Sequence, residues 1–187
     1  MNPMHQLTRR PVKAAFGALL LALAGVILAE AAAIYDGRNA TQTQAYGPES
    51  RGGASKAEVI ISDEEIDYPK TTAVDLLLAL TQAAADKHAG DLKPSDILVA
   101  DADKVHRLPQ GRFAVQSLPI LRTAKQAIGK AMVANIVSLG VIVGLSKVVS
   151  AAAIQQAVLA RVPRGTEELN RQALSAGFAL VGAEPPR

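Results

Sequence analysis

The chain has no cysteine, no tryptophan and few aromatic residues of any kind. Without cysteine it can form no disulfide, no thiolate zinc site and no cysteine-ligated iron–sulfur cluster of its own, and it has no cysteine nucleophile. Phe, Tyr and Trp together make up 3% of the residues, too few for a protein that binds single-stranded nucleic acid by stacking bases. The absence of cysteine is compatible with every compartment, so it excludes chemistries and not locations.

Concentrated charge and clustered metal ligands are also lacking. The formal net charge is +3, and the basic residues are spread along the chain, so there is no electrostatic footprint for nucleic acid. The three histidines, His5, His88 and His106, lack the spacing of metal ligands, and no Ser, His and acidic residues are spaced as a catalytic triad. The acidic run at residues 63–67 matches no calcium loop and is interpreted as a solvated or docking surface.

Hydrophobic residues, by contrast, are plentiful. They make up 49% of the 187 residues, against 20% charged, which is enough to build the core of one domain. We expect residues 12–181 to form this domain, residues 1–11 to be an N-terminal extension, and residues 182–187 to be a tail.

The first 35 residues allow two interpretations. Residues 1–13 are basic and residues 14–29 are uncharged, and a small-x-small sequence follows, which is the pattern of a secretory signal. Alternatively, a buried strand at residues 12–16 leads into a helix over residues 19–35, which Gly37 ends. Cleavage at the small-x-small sequence would start the mature chain in mid-helix, which favours the strand and helix.

Strands and helices alternate along the rest of the chain. Apolar or β-branched runs bounded by turn residues predict the strands, and residues 93–96 predict a turn. The predicted strands are residues 39–45, 57–62, 74–80, 97–100 and 112–118, and the predicted helices are residues 81–88 with Thr81 as its cap, 124–145, 151–161 and 166–176. This alternation predicts an α/β fold: a single Rossmann-like domain with a mostly parallel sheet covered by helices on both faces.

Two glycine-containing turns are candidate ligand sites. An α/β sheet binds ligands beyond the carboxyl ends of its strands, and Gly17 ends the first predicted strand. The residues after Gly17 lack the glycines of a dinucleotide-binding loop, which disfavours a nucleotide-dependent dehydrogenase. At Ser50, Arg51, Gly52 and Gly53, adjacent glycines allow backbone N–H groups to converge on an anion, and Arg51 supplies a planar cation. The other interpretation of this turn is a structural hairpin connection with a solvated arginine.

The stretch QTQAYGPESRGGASKAEVIISDEEIDYP, residues 42–69, closely resembles the gamma subunit of 2-oxoacid:ferredoxin oxidoreductases, particularly the 2-oxoglutarate branch. LAGVILAEAA, GKAMVANIVSLG and RVPRGTEELNRQAL match in the same order, so the resemblance covers roughly residues 12–180. It implies a non-catalytic subunit of a cytoplasmic complex that oxidatively decarboxylates a 2-oxoacid, forms the acyl-CoA and passes electrons to ferredoxin.

The resemblance also implies cofactors and partners. Thiamine diphosphate and iron–sulfur clusters are expected on partner subunits, namely alpha and beta and, as a further candidate, a ferredoxin-type delta subunit. Neither nucleic acid nor membrane is an expected partner. This chain is expected to contact coenzyme A through Gly17, through Ser50 and Arg51 beside the Gly52 and Gly53 pair, and through a helical asparagine that corresponds to Asn135.

The first loop departs from the family pattern. Where relatives tend to have Gly-Phe-Gly-Gly-Gln-Gly, residues 15–20 are AFGALL. Each missing glycine adds a Cβ where the backbone would approach a phosphate. The alternative function is therefore a structural assembly subunit that binds no coenzyme. For Asn135, the alternative is a polar residue that is satisfied within a packed helix.

Overall fold

The structure, a computed structural model, describes residues 12–17, 19–45, 56–67, 74–126, 129 and 131–186. The strands within these residues are β1 (Val12–Gly17), β2 (Asn39–Ala45), β3 (Lys56–Ser62), β4 (Val74–Ala79), β5 (Leu92–Asp101) and β6 (Ala114–Leu118). The α-helices are α1 (Leu19–Glu30), α2 (Gln82–His88), α3 (Ile120–Gln126), α4 (Ala134–Ser146), α5 (Ala151–Arg161) and α6 (Glu167–Leu180). A π-helical turn (Ala31–Tyr35) extends α1, and single 3-10 turns precede β5 (Ala89–Asp91) and α4 (Ala131–Val133).

The strands form one sheet in the order β2-β3-β1-β4-β5-β6. Strands β1, β4, β5 and β6 pair in parallel, while β3 pairs antiparallel with both β1 and β2. Parallel neighbouring strands need a crossover connection, usually a helix, whereas the antiparallel strands β2 and β3 can be joined by a short connection. The predicted α/β class with a mostly parallel sheet is confirmed.

Helices cover the two faces of the sheet unequally. Helices α1, α3, α4, α5 and α6 contribute to the larger core, which includes Ile27, Val59, Leu76 and Leu139. On the other face, α2 is the one described helix that packs against a smaller core around Leu77 and Leu98. The face covered by α2 is therefore the thinner side of the domain.

The strand-and-helix interpretation of residues 12–35 is confirmed. Strand β1 leads into α1, whose Ala24, Ile27 and Leu28 are fully buried against the sheet. The π-helical turn ends just before Gly37, which adopts a left-handed φ of 65°. Among the described residues, no helix is long and apolar enough to cross a membrane.

Two predicted elements differ from the structure. Residues 93–96 belong to β5 instead of a turn, and the pairing with β4 shifts register there. The carboxylate of Asp96 accepts a hydrogen bond from the Lys93 backbone N–H, which folds the segment into a bulge within the strand. The single helix predicted over residues 124–145 is wrong, because α3 ends at Gln126 and α4 begins at Ala134. Gly129 between them has a φ of 78°, a left-handed conformation that interrupts a helix.

Candidate functional site

Gly17 lies at the edge of the sheet where the sequence predicts ligand binding, and it is flanked there by β3 and β4. In the sheet register, Gly17 is paired with Ala79, the last residue of β4, and with Lys56, the first residue of β3. Lys56 is also paired with Ala45, the last residue of β2. Ala45 and Lys56, the residues that flank the connection 46–55, therefore both lie at the carboxyl edge of the parallel strands, and Lys56 is next to Gly17.

The anion turn predicted at Ser50, Arg51, Gly52 and Gly53 belongs to this connection but lies outside the described residues. Its ligand contacts therefore stay a prediction. The strand register brings the two ends of its loop to the edge where Gly17 ends β1, which is where an α/β sheet binds its ligands.

Lys56 lies at the base of this hairpin. Its Nζ is 2.6 Å from Glu58 Oε1 and 3.8 Å from Asp91 Oδ2, and its side chain is largely buried. Thr43 Oγ1 donates a hydrogen bond of 3.5 Å to the other Glu58 oxygen across the strands. Because two carboxylates neutralise Lys56, it stabilises the hairpin base instead of offering a free cation to a ligand. This group could not be predicted from the sequence, since nothing in the local pattern separates Lys56 from a surface lysine.

His88 is buried beside the Lys56 group. Its Nδ1 is 3.9 Å from Asp91 Oδ2, too long for a hydrogen bond, and its buried Nε2 has no partner among the described residues. Burial, followed by the charge of Lys56, lowers the pKa of His88 below its usual value of 6.5. Asp91 acts in the opposite direction but is outweighed. The other histidine described, His106, is exposed.

The buried imidazole predicts a pH-dependent stability. Below about pH 6.5 the unfolded chain binds a proton at His88 that the folded chain resists, so the free energy of unfolding falls as pH falls. The slope from this one proton is at most about 1.4 kcal/mol per pH unit. Above that pH both states hold a neutral imidazole and the contribution vanishes.

Urea unfolding between pH 7.5 and 5 measures this effect. We expect His88→Gln to lose less stability on acidification than the wild type, and the exposed-site control His106→Gln to follow the wild type. If His88→Gln and the wild type lose stability in parallel, the lowered pKa of His88 is contradicted.

Asn135 lies in the first turn of α4 and is 6% exposed. Its Oδ1 accepts a hydrogen bond of 3.0 Å from the Ile136 N–H, one of the free donors at the start of the helix. The amide NH2 makes no hydrogen bond to any described residue. The helix therefore satisfies the Asn135 oxygen and leaves the NH2 donor for another molecule. Its predicted contact with coenzyme A stays a prediction.

Asn135 lines a groove of about 360 Å³ between α1, the start of α4 and the α5–α6 connection. We call this the α1–α4 groove. Its apolar lining includes Leu23, Ile27, Met132, Ile136 and Leu169. Although both are apolar, Leu23 is 45% exposed and Met132 is 77% exposed. The lining comes from separate parts of the chain, so no local pattern in the sequence could have identified the groove.

The polar groups around the groove are mostly engaged. Arg161 forms a bidentate ion pair with Glu30. Arg161 Nε is 2.8 Å from Glu30 Oε2, and Arg161 Nη2 donates to Glu30 Oε1. Asn170 Nδ2 donates to the Thr166 carbonyl oxygen at 2.8 Å and to Thr166 Oγ1 at 3.1 Å. Among the described residues, the cation that lines the groove is Arg161, and Glu30 already neutralises it. The groove therefore favours a neutral, apolar occupant that carries a hydrogen-bond acceptor for Asn135.

The sequence and the fold recur in a known family. Residues 17–180 match the family described as pyruvate ferredoxin/flavodoxin oxidoreductase, and the chain belongs to it. The match runs from the last residue of β1 to the last residue of α6. The chain is 44% identical to 2-oxoglutarate synthase subunit KorC of Methanocaldococcus jannaschii over 184 residues. This alignment covers 97% of this chain and 98% of the relative.

A solved structure gives the same result in three dimensions. The keto/oxoacid ferredoxin oxidoreductase gamma subunit from Geobacter sulfurreducens is 49% identical, with a TM-score of 0.84 over 92% of this chain and 96% of that chain. The resemblance to gamma subunits of this family is thus confirmed. A further relative, ketoisovalerate oxidoreductase subunit VorA of Methanothermobacter thermautotrophicus, is 36% identical over 71% of this chain but only 27% of its own length.

Proposed function

We propose that this chain is the gamma subunit of a cytoplasmic 2-oxoglutarate:ferredoxin oxidoreductase and that it helps to bind coenzyme A. The observation that carries the proposal is the 44% identity to a KorC subunit over nearly the full length of both chains. The complex would oxidatively decarboxylate the 2-oxoacid, form the acyl-CoA and reduce ferredoxin. Its alpha and beta subunits, with a ferredoxin-type delta subunit as a further component, would hold thiamine diphosphate and the iron–sulfur clusters.

The coenzyme part of the proposal is supported by the sheet edge. The register pairs Gly17 with Lys56, where the connection that carries the 50–53 turn ends, and Lys56 with Ala45, where that connection begins. In the proposal, the N–H groups of Gly52 and Gly53 and the guanidinium of Arg51 hold the diphosphate of coenzyme A, with Ser50 as a further hydrogen-bonding group. This chain thus binds and orients the coenzyme, while the reacting groups lie on its partners.

A structural assembly subunit that binds no coenzyme is the second candidate. The sequence AFGALL at residues 15–20 favours it. Ala15, Ala18 and Leu20 each carry a Cβ where relatives tend to have glycine, and Leu19 is less polar than the glutamine of relatives. Both candidates share the same partners and differ in whether this chain contributes to coenzyme affinity.

Leaving the chain out of the complex distinguishes the two candidates. Coenzyme A affinity is measured by calorimetry on purified alpha and beta subunits, with and without this chain. We expect the chain to tighten coenzyme A binding at least about tenfold, a difference of about 1.4 kcal/mol. Equal affinity with and without a chain that is fully incorporated would favour the assembly subunit, and failure of the wild-type chain to assemble would contradict both.

A further inference from the structure

We propose that Lys56 is a positioning residue for coenzyme A binding, because its ion pairs with Glu58 and Asp91 fix the end of the connection that carries the 50–53 turn. The inference rests on the proposed function, since it assumes that this turn binds the coenzyme. It goes beyond that function by naming a residue that sets the affinity without touching the ligand.

Lys56 lies at the sheet edge, close along the chain to the proposed coenzyme-binding turn. In the sheet register it is paired with Gly17, the last residue of β1, and with Ala45, the last residue of β2. Gly53 is three residues before Lys56 in the sequence, so the Cα atoms of the two residues are at most about 11 Å apart. A displacement of Lys56 would therefore reach the glycine pair of the turn through a short length of backbone.

The ammonium group of Lys56 joins two parts of the fold that are distant in sequence. Its Nζ is 2.6 Å from Glu58 Oε1 within β3 and 3.8 Å from Asp91 Oδ2 in the turn before β5. The side chains of Lys56 and Glu58 are 19% and 14% exposed, so water and salt screen this pair less than they screen a surface pair. Glu58 also accepts the hydrogen bond from Thr43 Oγ1 on β2. Lys56 thus ties the base of the β2–β3 hairpin to the segment that precedes β5.

His88 gives an independent reason to assign this group a role besides stability. Its Nε2 is buried and has no hydrogen-bond partner among the described residues, and its Nδ1 is 3.9 Å from Asp91 Oδ2. Native proteins contain few buried polar atoms without a partner, and departures of this kind are expected near functional sites. The buried charges around Lys56 are therefore not arranged for stability alone.

Lys56 would act through the backbone and not as a cation that binds the ligand. Glu58 and Asp91 are both within ion-pairing distance of its Nζ, so an anion would have to displace one of these carboxylates. The diphosphate of coenzyme A is negatively charged and would be repelled by both carboxylates at close range. An effect of Lys56 on coenzyme affinity would therefore come from the position of the connection.

Arg38 supplies a matched control at the opposite end of the same hairpin. Its Nε is 2.6 Å from Asp63 Oδ1, the same separation as in the Lys56–Glu58 pair, and its side chain is 17% exposed. Arg38 also donates a hydrogen bond of 2.6 Å to the Val148 carbonyl oxygen, so its loss should destabilise the fold at least as much. Strand β3, with seven residues and a length of about 20 Å, separates the two ion pairs.

The test measures coenzyme A affinity by calorimetry on complexes assembled from purified alpha and beta subunits and wild-type, Lys56→Met, Lys56→Arg or Arg38→Met chains. Methionine removes the charge and keeps an unbranched side chain, whereas arginine keeps the charge. Asp91→Asn, at a side chain that is 50% exposed, removes the longer ion pair alone and replaces Lys56→Met if that variant does not fold. Arg51→Ala reports on the proposed turn itself. The thermal unfolding midpoint and the incorporation of every variant are measured alongside.

We expect Lys56→Met to weaken coenzyme A binding about five- to tenfold and Asp91→Asn about two- to threefold, because ligand binding must then order a loosened connection. Lys56→Arg should stay within about twofold of the wild type. Arg38→Met should do so too, although it should unfold at a lower temperature than the wild type.

Wild-type affinity in Lys56→Met and Asp91→Asn, with weak binding in Arg51→Ala, would overturn the inference and leave the proposed function standing. Equal weakening by Lys56→Met and Arg38→Met would overturn it too, because the loss would then follow from the stability of the hairpin as a whole. Wild-type affinity in every variant, with Arg51→Ala included, would contradict the coenzyme-binding role together with the inference.

Discussion

Replacing Gly177 with alanine is expected to lower the thermal unfolding midpoint by about 6–12 °C. This corresponds to a loss of about 3 kcal/mol, at the upper end of overpacking effects, in a chain of this size. The expectation follows from the crossing of α4 and α6, where Gly140 and Gly177 bring the two backbones together. A Cβ on Gly177 would be 2.1 Å from the Val137 carbonyl oxygen, and one on Gly140 would be 2.3 Å from the Leu174 carbonyl oxygen.

Neither contact can be relieved by rotating a side chain. The obstructing atoms are backbone, so the two helices would have to separate and the packing of their buried side chains would loosen. Alanine also gains about 1 kcal/mol in helix propensity over glycine, which offsets part of this cost. Gly140→Ala should behave like Gly177→Ala. The double variant should lose less than the sum of the two, because the first separation already makes room for the second methyl group.

Gly25→Ala is the matched control, since Gly25 is also a helical glycine packed against the sheet. Its added Cβ would be 3.4 Å from Val59 Cγ2 and 3.5 Å from Gln42 Cγ, close to ordinary contact with side chains. We expect its midpoint to stay within about 3 °C of the wild type. Differential scanning calorimetry of the three single variants tests the prediction, and equal midpoints for Gly25→Ala and Gly177→Ala would contradict it.

Elements with local signals could be predicted from the sequence. Thr81 accepts a hydrogen bond from the Ala84 N–H and caps α2, as its position before the helix predicted. Gly37 has the left-handed conformation expected of a glycine that follows a helix. The β-branched run in β3 forms a strand between two neighbours. In each case, the residue type determines the local conformation.

The break between α3 and α4 could not be located, because α4 is buried on nearly all sides. A helix without a polar face has no amphipathic period, so the apolar run gave no sign of where the helix begins. The role of Gly140 could not be predicted from the sequence either. Its sequence context indicates only reduced helix propensity, and its role depends on contact with a glycine in α6.

The candidate site also has parts that the sequence predicts and parts that only the folded chain shows. Glycines and an arginine in one turn could be recognised as an anion-binding pattern, and the resemblance pointed to Asn135. That Lys56, at the end of the 46–55 connection, lies next to Gly17 could be learned only from the strand register. The α1–α4 groove depends on residues as distant in sequence as Leu23 and Leu169, so it became visible only in the folded chain.

Arg51→Ala is expected to weaken coenzyme A binding to the assembled complex about 10- to 100-fold. In the proposed site, its guanidinium donates charge-assisted hydrogen bonds to the diphosphate, each contributing about 1.5–3 kcal/mol. Arg51→Lys should restore part of the affinity, because it keeps the charge and loses the planar pair of donors. Incorporation of both variants into the complex is measured alongside, so that a loss of coenzyme A affinity is distinguished from a loss of assembly.

The most direct measurement of the coenzyme-binding role is a calorimetric titration of coenzyme A into complexes that contain wild-type, Arg51→Ala or Arg107→Ala chains. Arg107 is the matched control, because its side chain is 79% exposed and pairs with Asp86 at the surface. Weaker binding with Arg51→Ala and unchanged binding with Arg107→Ala is the predicted result. Equal affinity in all three complexes would contradict the coenzyme-binding role.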